Sequence, residues 1–301
     1  KATVQRIARE VGYVPNRAGV RLKTGKTNVI SLVLCTDHDM MNHTARLISS
    51  VAGALRETPY HMIVTPYFPG EDPMNPVRYI VETGSADAVI LNQTEPQDAR
   101  IEYLMDQGFP FATHGRTDWC DQHAYFDFDN RQYAREAVAE LARRGRKNVL
   151  LIAPPPSHNY AKMMIGGAEE EAARCDVLVK RLKSASSDDG NRAIRTAVLE
   201  DLRTSPETDA ILCASPAAAM GAIAALEDAQ RVLGRDIDVF GKEAVRFLNL
   251  FRPGILTVQE DVATAGTFLA RAAMQAIDFP ELPPMQGLDV PKYQQSPGKV
   301  E

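Results

Sequence analysis

Residues 28–66 read NVISLVLCTDHDMMNHTARLISSVAGALRETPYHMIVTP and contain the clearest structural pattern in the chain. This stretch starts with the apolar run NVISLVL at 28–34 and ends with the apolar run HMIVTP at 61–66. Between the two runs, apolar residues recur with helical spacing, at Ala45, Ile48, Val51, Ala52 and Leu55. A strand, an amphipathic helix and a second strand in this order predict a βαβ unit with parallel strands.

The same alternation continues along the rest of the chain. Short apolar runs follow at 86–91, 110–113, 124–128, 148–153, 176–179, 209–214, 237–240 and 255–258. Apolar strands that alternate with helices indicate parallel sheets covered on both faces. Because nine or ten strands exceed one comfortable open sheet, we expect an α/β fold with two doubly wound parallel-sheet subdomains.

Composition sets further limits on the class of protein. With 45% hydrophobic and 24% charged residues among 301, the chain is typical of a globular protein with two or three compact units. No uncharged apolar run reaches the roughly 18 residues of a membrane helix, and the first residues, KATVQRIARE, lack the apolar stretch of a secretory signal. A cytoplasmic location is therefore expected. The widely spaced cysteines predict neither a zinc site nor a disulfide framework; they are Cys35, Cys120, Cys175 and Cys213.

The first 27 residues differ in charge and pattern from the rest of the chain. The first 28 residues carry seven basic side chains and one acidic one, a charge of +6, which leaves −11 for the remainder of a chain with net charge −5. A short helix is predicted to end near Gly12, and Asn16 can cap a second short helix that runs through Lys23. A basic arm beside an acidic body indicates a nucleic-acid partner as one candidate.

The segment GYVPNRAGVRLKTGKTNVISLVL, from Gly12 to Leu34, resembles the hinge of the LacI/GalR repressors. In that family a Tyr-x-Pro-Asn turn precedes a hinge helix with a leucine, and a Thr-Gly-Lys/Arg-Thr linker leads into the first core strand. The resemblance implies a type I periplasmic-binding-protein-like core. It also implies that Lys1 to Gly12 is the last helix of a helix-turn-helix headpiece whose two earlier helices are absent from this chain.

The resemblance divides the chain into three parts. Residues 1–27 would hold the end of the headpiece, the hinge helix and the linker. Residues 28–128 and 259–280 would form the N-terminal core subdomain. Residues 129–258 and 281–301 would form the C-terminal core subdomain.

The hinge resemblance implies a set of DNA-binding residues, namely Tyr13, Asn16, Arg17, Gly19, Arg21, Leu22 and Lys23. Leu22 stands where the family places a leucine that wedges a base step in the minor groove. The basic residues around it would contact phosphates. The sequence departs from the family pattern at Gly19, commonly an alanine, and at Val20, frequently a basic residue.

Other readings of the same residues are less well supported. Gly25-Lys26-Thr27 looks like the end of a phosphate-binding loop, but the earlier glycine would fall on Val20 and the segment precedes a strand instead of following one. No GxGxxG, GxSxG or HExxH motif occurs in the sequence. A periplasmic-type sugar-binding protein shares the predicted fold and is the main alternative, and an α/β enzyme is a more distant one.

In two-subdomain α/β folds, ligands bind at the carboxyl ends of the strands. We therefore expect effector contacts from a polar set of strand-end and family-matched positions: Asp37, His43, Gln93, His114, Asp129, His158, Tyr160, Met164, Ser215, Lys242, Glu243 and Glu260. The segment LIAPPPSHNYAKMMIGG at 151–167 resembles a family loop, but its usual arginine falls on Met164. The family's Gly-Tyr-Asp becomes Gly241-Lys242-Glu243. The loss of the arginine and the gain of Lys242 together predict an anionic or polyhydroxylated ligand that is approached from a different direction.

The sequence thus predicts a transcription regulator, a repressor without catalytic activity, that binds double-stranded operator DNA as a homodimer. A small effector, such as a sugar or a sugar acid, would control it from the cleft. Neither a cofactor nor a metal nor a membrane is expected as a partner. The protein would be associated with the nucleoid when bound to DNA.

Overall fold

The computed structural model describes residues 3, 6, 7, 10–12, 17–36 and 41–293 of the chain. The helices of this part are α1 (Arg17–Thr24), α2 (Met41–Ala54), α3 (Met74–Thr83), α4 (Ala99–Asp106), α5 (Asn130–Arg143), α6 (Asn159–Cys175), α7 (Asn191–Thr204), α8 (Pro216–Asp228), α9 (Leu248–Phe251) and α10 (Val262–Asp278). The strands are β1 (Val29–Cys35), β2 (His61–Tyr67), β3 (Ala88–Asn92), β4 (Phe111–His114), β5 (Ala124–Phe128), β6 (Asn148–Ile152), β7 (Leu178–Arg181), β8 (Ala210–Cys213), β9 (Asp238–Glu243), β10 (Leu256–Gln259) and β11 (Gln286–Asp289). Every apolar run identified in the sequence overlaps one of these strands.

The strands form two sheets, and all of their pairings are parallel. The N-terminal sheet has the order β11-β5-β4-β3-β1-β2, and the C-terminal sheet has the order β10-β9-β8-β6-β7. Strands β1 and β3 lie inside their sheet and are almost entirely buried, whereas the edge strand β2 exposes part of each face. The expected α/β fold with two doubly wound sheets is confirmed.

One domain boundary needs correction. Residues 281–301 were expected in the C-terminal subdomain, but β11 joins the N-terminal sheet, where Gln286 pairs with Tyr125 of β5. This strand, with the sequence QGLD, has only one large apolar residue and lies at a sheet edge, so it lacks the apolar run that marks the others. Beyond it, the Tyr293 ring lies 5.2 Å from the ring of Phe240 in the C-terminal sheet.

The chain therefore crosses between the two sheets three times, after β5, after β10 and after β11. Hydrogen bonds join these crossings to one another. The backbone N–H of Asp129 donates to the carbonyl oxygen of Asp289 (2.8 Å), and the backbone N–H of Asp261 donates to the Asp289 carboxylate (2.9 Å). The three connections form a single joint at one side of the cleft.

Helices α2 and α10 pack closely on one face of the N-terminal sheet. A Cβ atom on Gly266 of α10 would lie 1.9 Å from Oγ of Ser50 and 3.0 Å from the backbone nitrogen of Val51. Only glycine at this position lets the two helices approach to this distance. In the part of the chain that the structure describes, no helix is long and apolar enough to cross a membrane.

Candidate functional site: the cleft between the sheets

A cavity of about 280 Å³ opens at the carboxyl ends of the strands, between the two sheets. Among the residues expected to contact an effector, eight line this cavity: His43, Gln93, His114, Tyr160, Ser215, Lys242, Glu243 and Glu260. Asp37 lies outside the described residues. The carboxyl ends of parallel strands meet at one edge of each sheet, and this arrangement brings together residues that are far apart in sequence.

Three expected contact residues do not line the cavity, and each has a structural role instead. Met164 is fully buried in the core beneath α6, because an apolar side chain at this position turns towards the sheet. Asp129 caps helix α5 by accepting a hydrogen bond from the backbone N–H of Gln132 (3.1 Å). The ring of His158 stacks on Tyr160 with centroids 5.1 Å apart and lies outside the lining.

The cavity also has polar lining residues that were not among the expected contacts, including Asp127, Asn130, Asp188 and Asn191. Asp188 and Asn191 follow β7, a strand end that the sequence-based contacts do not include. Asp127 lies one residue before the end of β5. Applying the strand-end rule to every strand would have found Asp188.

Glu260 lines the cavity and contacts both sides of the molecule. One carboxylate oxygen, Oε1, lies 3.2 Å from Nε2 of His43, and the other, Oε2, lies 3.2 Å from Nζ of Lys242. Burial alone favours the neutral acid, but the positive charge of Lys242 and the hydrogen bond with His43 hold the pKa of Glu260 well below its usual value. This carboxylate is therefore ionised at neutral pH.

Lys242 is held by three neighbours. Besides Glu260, its ammonium group donates to Oδ1 of Asn130 (2.9 Å) and lies 4.7 Å from the centroid of the Phe128 ring. These contacts satisfy a largely buried cation within the protein. Its position on β9 corresponds to the place where the sequence departs from the family's Gly-Tyr-Asp.

A second ion pair borders the cavity. Nε of Arg116 donates to the carboxylate of Asp127 at 2.7 Å. Burial raises the pKa of Asp127 to about 6, although the positive charge of Arg116 opposes the shift. The pair holds the carboxylate of Asp127 in the cleft wall. The guanidinium charge of Arg116 is directed towards that carboxylate.

The opposite wall carries a set of hydroxyl and carboxylate groups. The hydroxyl groups of Tyr160 and Ser187 donate to the two oxygens of Asp188, at 3.4 and 2.7 Å. Ser215 donates to the carbonyl oxygen of Ser187 and accepts from the backbone N–H of Ala218, and so caps α8. These hydrogen bonds fix the orientation of the Asp188 carboxylate at the cavity surface.

Glu243 lines the cavity, but its carboxylate also has a structural role. Its Oε2 accepts hydrogen bonds of 2.9 Å from the backbone N–H groups of Phe247 and Leu248, at the start of α9.

Two further hydrogen bonds close the cleft at the start of α6. The backbone N–H of Asn159 donates to the carbonyl oxygen of Thr94 (2.8 Å). The side-chain amide of Asn159 donates to the carbonyl oxygen of Arg116, also at 2.8 Å.

The hinge segment forms helix α1, as the sequence predicted. Leu22 is 91% exposed, and Gly19, Arg21 and Lys23 are also exposed. Tyr13 and Asn16 lie outside the described residues, and only the backbone of Arg17 is described. An exposed leucine flanked by basic residues is compatible with the predicted minor-groove contact.

Comparison with known proteins connects this architecture to one family. Residues 32–275 match the family model of periplasmic binding proteins and the sugar-binding domain of the LacI family. The chain is 28% identical over 297 residues to the HTH-type transcriptional regulator AglR of Rhizobium meliloti, a match that covers 93% of this chain and 82% of AglR. It is 32% identical over 238 residues to the HTH-type transcriptional regulator RafR of Escherichia coli, covering 77% of this chain and 69% of RafR.

A solved structure supports the same fold. The complex of the transcriptional regulator CelR with cellobiose has a TM-score of 0.77 and 22% sequence identity, and the match covers 96% of this chain and 87% of that chain. The match to AglR covers nearly the whole chain. The similarity to a transcriptional regulator therefore extends beyond the sugar-binding domain. The chain belongs to the LacI family and is a DNA-binding transcriptional regulator.

Proposed function

We propose that the cleft binds a neutral sugar of one or two rings and that this ligand controls the binding of operator DNA by a homodimer. The charge balance of the lining carries this proposal. Among the described residues that line the cavity, four are acidic, namely Asp127, Asp188, Glu243 and Glu260, and Lys242 is the one lysine or arginine. Because Lys242 is already paired with Glu260, an anionic ligand would meet an excess of negative charge.

The remaining chemistry of the lining suits sugar hydroxyl groups. Carboxylates and amides accept and donate hydrogen bonds to hydroxyls, and the aromatic rings of Tyr160 and Phe247 offer apolar surface to the carbon-bound face of a sugar ring. The volume of about 280 Å³ lies near the lower end of the range for small-molecule sites. The cellobiose bound by the related regulator CelR supports a sugar of this size.

A ligand screen tests the effector proposal. The melting temperature of the chain should rise with cellobiose or another neutral sugar, because a ligand that binds only the folded state stabilises it by mass action. The corresponding sugar acids should give a smaller rise. If only anionic sugars raise the melting temperature, the proposed neutral ligand is wrong.

Asp188→Asn should weaken the binding of the identified sugar by about ten- to a hundredfold, the cost of losing a charge-assisted hydrogen bond. Asp121→Asn provides the control, because Asp121 is exposed and outside the cavity lining. An unchanged dissociation constant in the Asp188 variant would remove that residue from the site.

The homodimer is supported by exposed apolar side chains on both subdomains. Ile63, Phe68 and Tyr79 are exposed on the N-terminal subdomain, and Leu250 and Phe251 on the C-terminal one, where Leu250 is 85% exposed. These side chains are available for a contact between protomers, and two hinge helices related by a two-fold axis are needed for a minor-groove wedge. Sedimentation at micromolar concentration should show a dimer, and a monomer there would contradict the proposal.

A further inference from the structure

Three potential metal ligands meet in the cleft although they are far apart in sequence. His43 belongs to α2, His114 ends β4, and Glu260 follows β10. Nε2 of His43 lies 3.2 Å and Nε2 of His114 lies 4.0 Å from the same oxygen, Oε1 of Glu260. All three ligand atoms lie within 4.8 Å of one another.

The distances suit a transition-metal ion. Bonds of roughly 2.0–2.2 Å to histidine nitrogen and carboxylate oxygen in a tetrahedral site place the ligand atoms roughly 3.3 Å apart. The 3.2 Å between His43 and Glu260 is close to that value, and the 4.0 Å between His114 and Glu260 is longer. The two imidazole rings are stacked with centroids 5.2 Å apart. A small approach of His114 towards Glu260 would complete the three-ligand face.

The positive charge of Lys242 would repel a bound cation, but the position of Lys242 does not block the site. Its Nζ contacts Oε2 of Glu260, whereas the histidines face Oε1. The lysine therefore orients the carboxylate so that one oxygen points to the two rings. The charge of Lys242 should lower the affinity of the site for a metal ion, and removal of that charge therefore tests the site.

We propose that His43, His114 and Glu260 bind one divalent transition-metal ion in the effector cleft, with its remaining coordination positions directed to the cavity. Two histidines and one carboxylate form a ligand set that zinc and neighbouring metals accept when an open position is kept. The ion would lie where it can contact oxygen atoms of a cleft ligand. This proposal does not depend on the effector being a sugar.

The experiment is a calorimetric titration of the chain, without a histidine tag, with Zn²⁺ and separately with Co²⁺. We expect one ion per chain. His43→Ala and His114→Ala should each weaken binding by more than about tenfold, since even supporting residues of metal sites typically contribute that much. His61→Ala is the matched control, because His61 is exposed on the edge strand β2 and should leave the affinity unchanged.

Lys242→Met should tighten metal binding several-fold, because it removes a positive charge next to Glu260 while keeping a side chain of similar length. This gain cannot result from misfolding, so it tests the site even if a histidine variant is unstable. The absence of saturable binding, or binding that is equal in wild type and both cleft histidine variants, would overturn the proposal. Sugar binding is measured separately in the presence of a chelator, so failure of one proposal is distinguished from failure of the other.

Discussion

Nη2 of Arg21, in the hinge helix α1, lies 2.9 Å from the carbonyl oxygen of Gly84, the residue that ends helix α3 in a left-handed conformation. The same nitrogen donates to the carbonyl oxygen of Thr83, also at 2.9 Å. The last carbonyls of a helix carry partial negative charge and favour a nearby cation. Arg21 therefore connects the hinge helix to the N-terminal subdomain, a role that its position in the sequence did not suggest.

Two replacements of Arg21 distinguish the effect of its charge from the effect of its hydrogen-bonding geometry. Because a guanidinium has five N–H donors, the group that contacts α3 can also contact a phosphate. Arg21→Ala should flatten the dependence of operator affinity on salt concentration by about 0.9 per lost phosphate contact in each protomer. Arg21→Lys keeps the charge and should keep the slope. Filter binding of the full-length regulator over a range of salt measures both, and an unchanged slope in the alanine variant would show that Arg21 serves α3 alone.

Leu22→Ala should reduce DNA bending and operator affinity without changing the salt slope. The leucine is almost fully exposed and its truncation removes no phosphate contact; what is lost is the apolar insertion that offsets base unstacking, a few kcal/mol per step. Circular-permutation mobility assays report the bend angle. A variant that bends its operator as wild type does would rule out the wedge.

His114 should make the stability of the fold depend on pH. Its pKa of about 3 in the folded chain lies below its ordinary value of 6.5, so between these values the unfolded chain binds a proton that the folded chain does not. Stability should therefore fall as pH is lowered from 6.5 towards 3, by about 1.4 kcal/mol per pH unit from this residue. His114→Gln should remove that contribution, whereas His61→Gln should retain it.

Urea unfolding in a chelating buffer at pH 7, 6 and 5 measures the effect. Asp127 contributes with the opposite sign, because its raised pKa of about 6 makes the folded state bind a proton more readily below that pH. This contribution is present in both proteins, so the difference between wild type and the His114 variant isolates the histidine. Parallel curves for the two proteins would contradict the prediction.

Gly266→Ala should destabilise the N-terminal subdomain by about 1–3 kcal/mol, the usual cost of overpacking. The new Cβ would clash with Ser50 and approach the backbone of α2, so the two helices would have to separate. Gly53→Ala in α2 is the control, since no atom lies within 4 Å of the added Cβ, and it should raise stability by roughly 0.5–1 kcal/mol. Equal stability of the two variants in urea unfolding would refute this account of the α2–α10 contact.

The sequence predicts the strands well wherever they are buried, because a strand covered on both faces must be apolar along its length. β1 and β3 show this pattern. β11 does not, because it lies at a sheet edge and needs few apolar side chains. Its position depends on a tertiary pairing with β5 that the local pattern does not reveal.

The cleft residues were predictable to the extent that they lie at strand ends. Positions matched to the family predict the cleft less reliably, as Met164 shows: once the arginine is replaced by an apolar residue, the side chain packs into the core. The same limit applies to His43, His114 and Glu260, whose proximity arises from three separate elements. No spacing in the sequence indicates that they share one oxygen.

The three adjacent crossings between the sheets have a mechanical consequence. A joint with one connecting segment would let the two halves swivel in any direction, whereas three hydrogen-bonded connections should resist twisting and sliding and bend mainly about one axis. Glu260 and Asp129 lie next to this joint, so bending about it would displace them less than Asp188 on the opposite wall. A ligand that draws the far wall inward would therefore turn a small local contact into a rotation of the whole N-terminal half, which carries the hinge helix through Arg21.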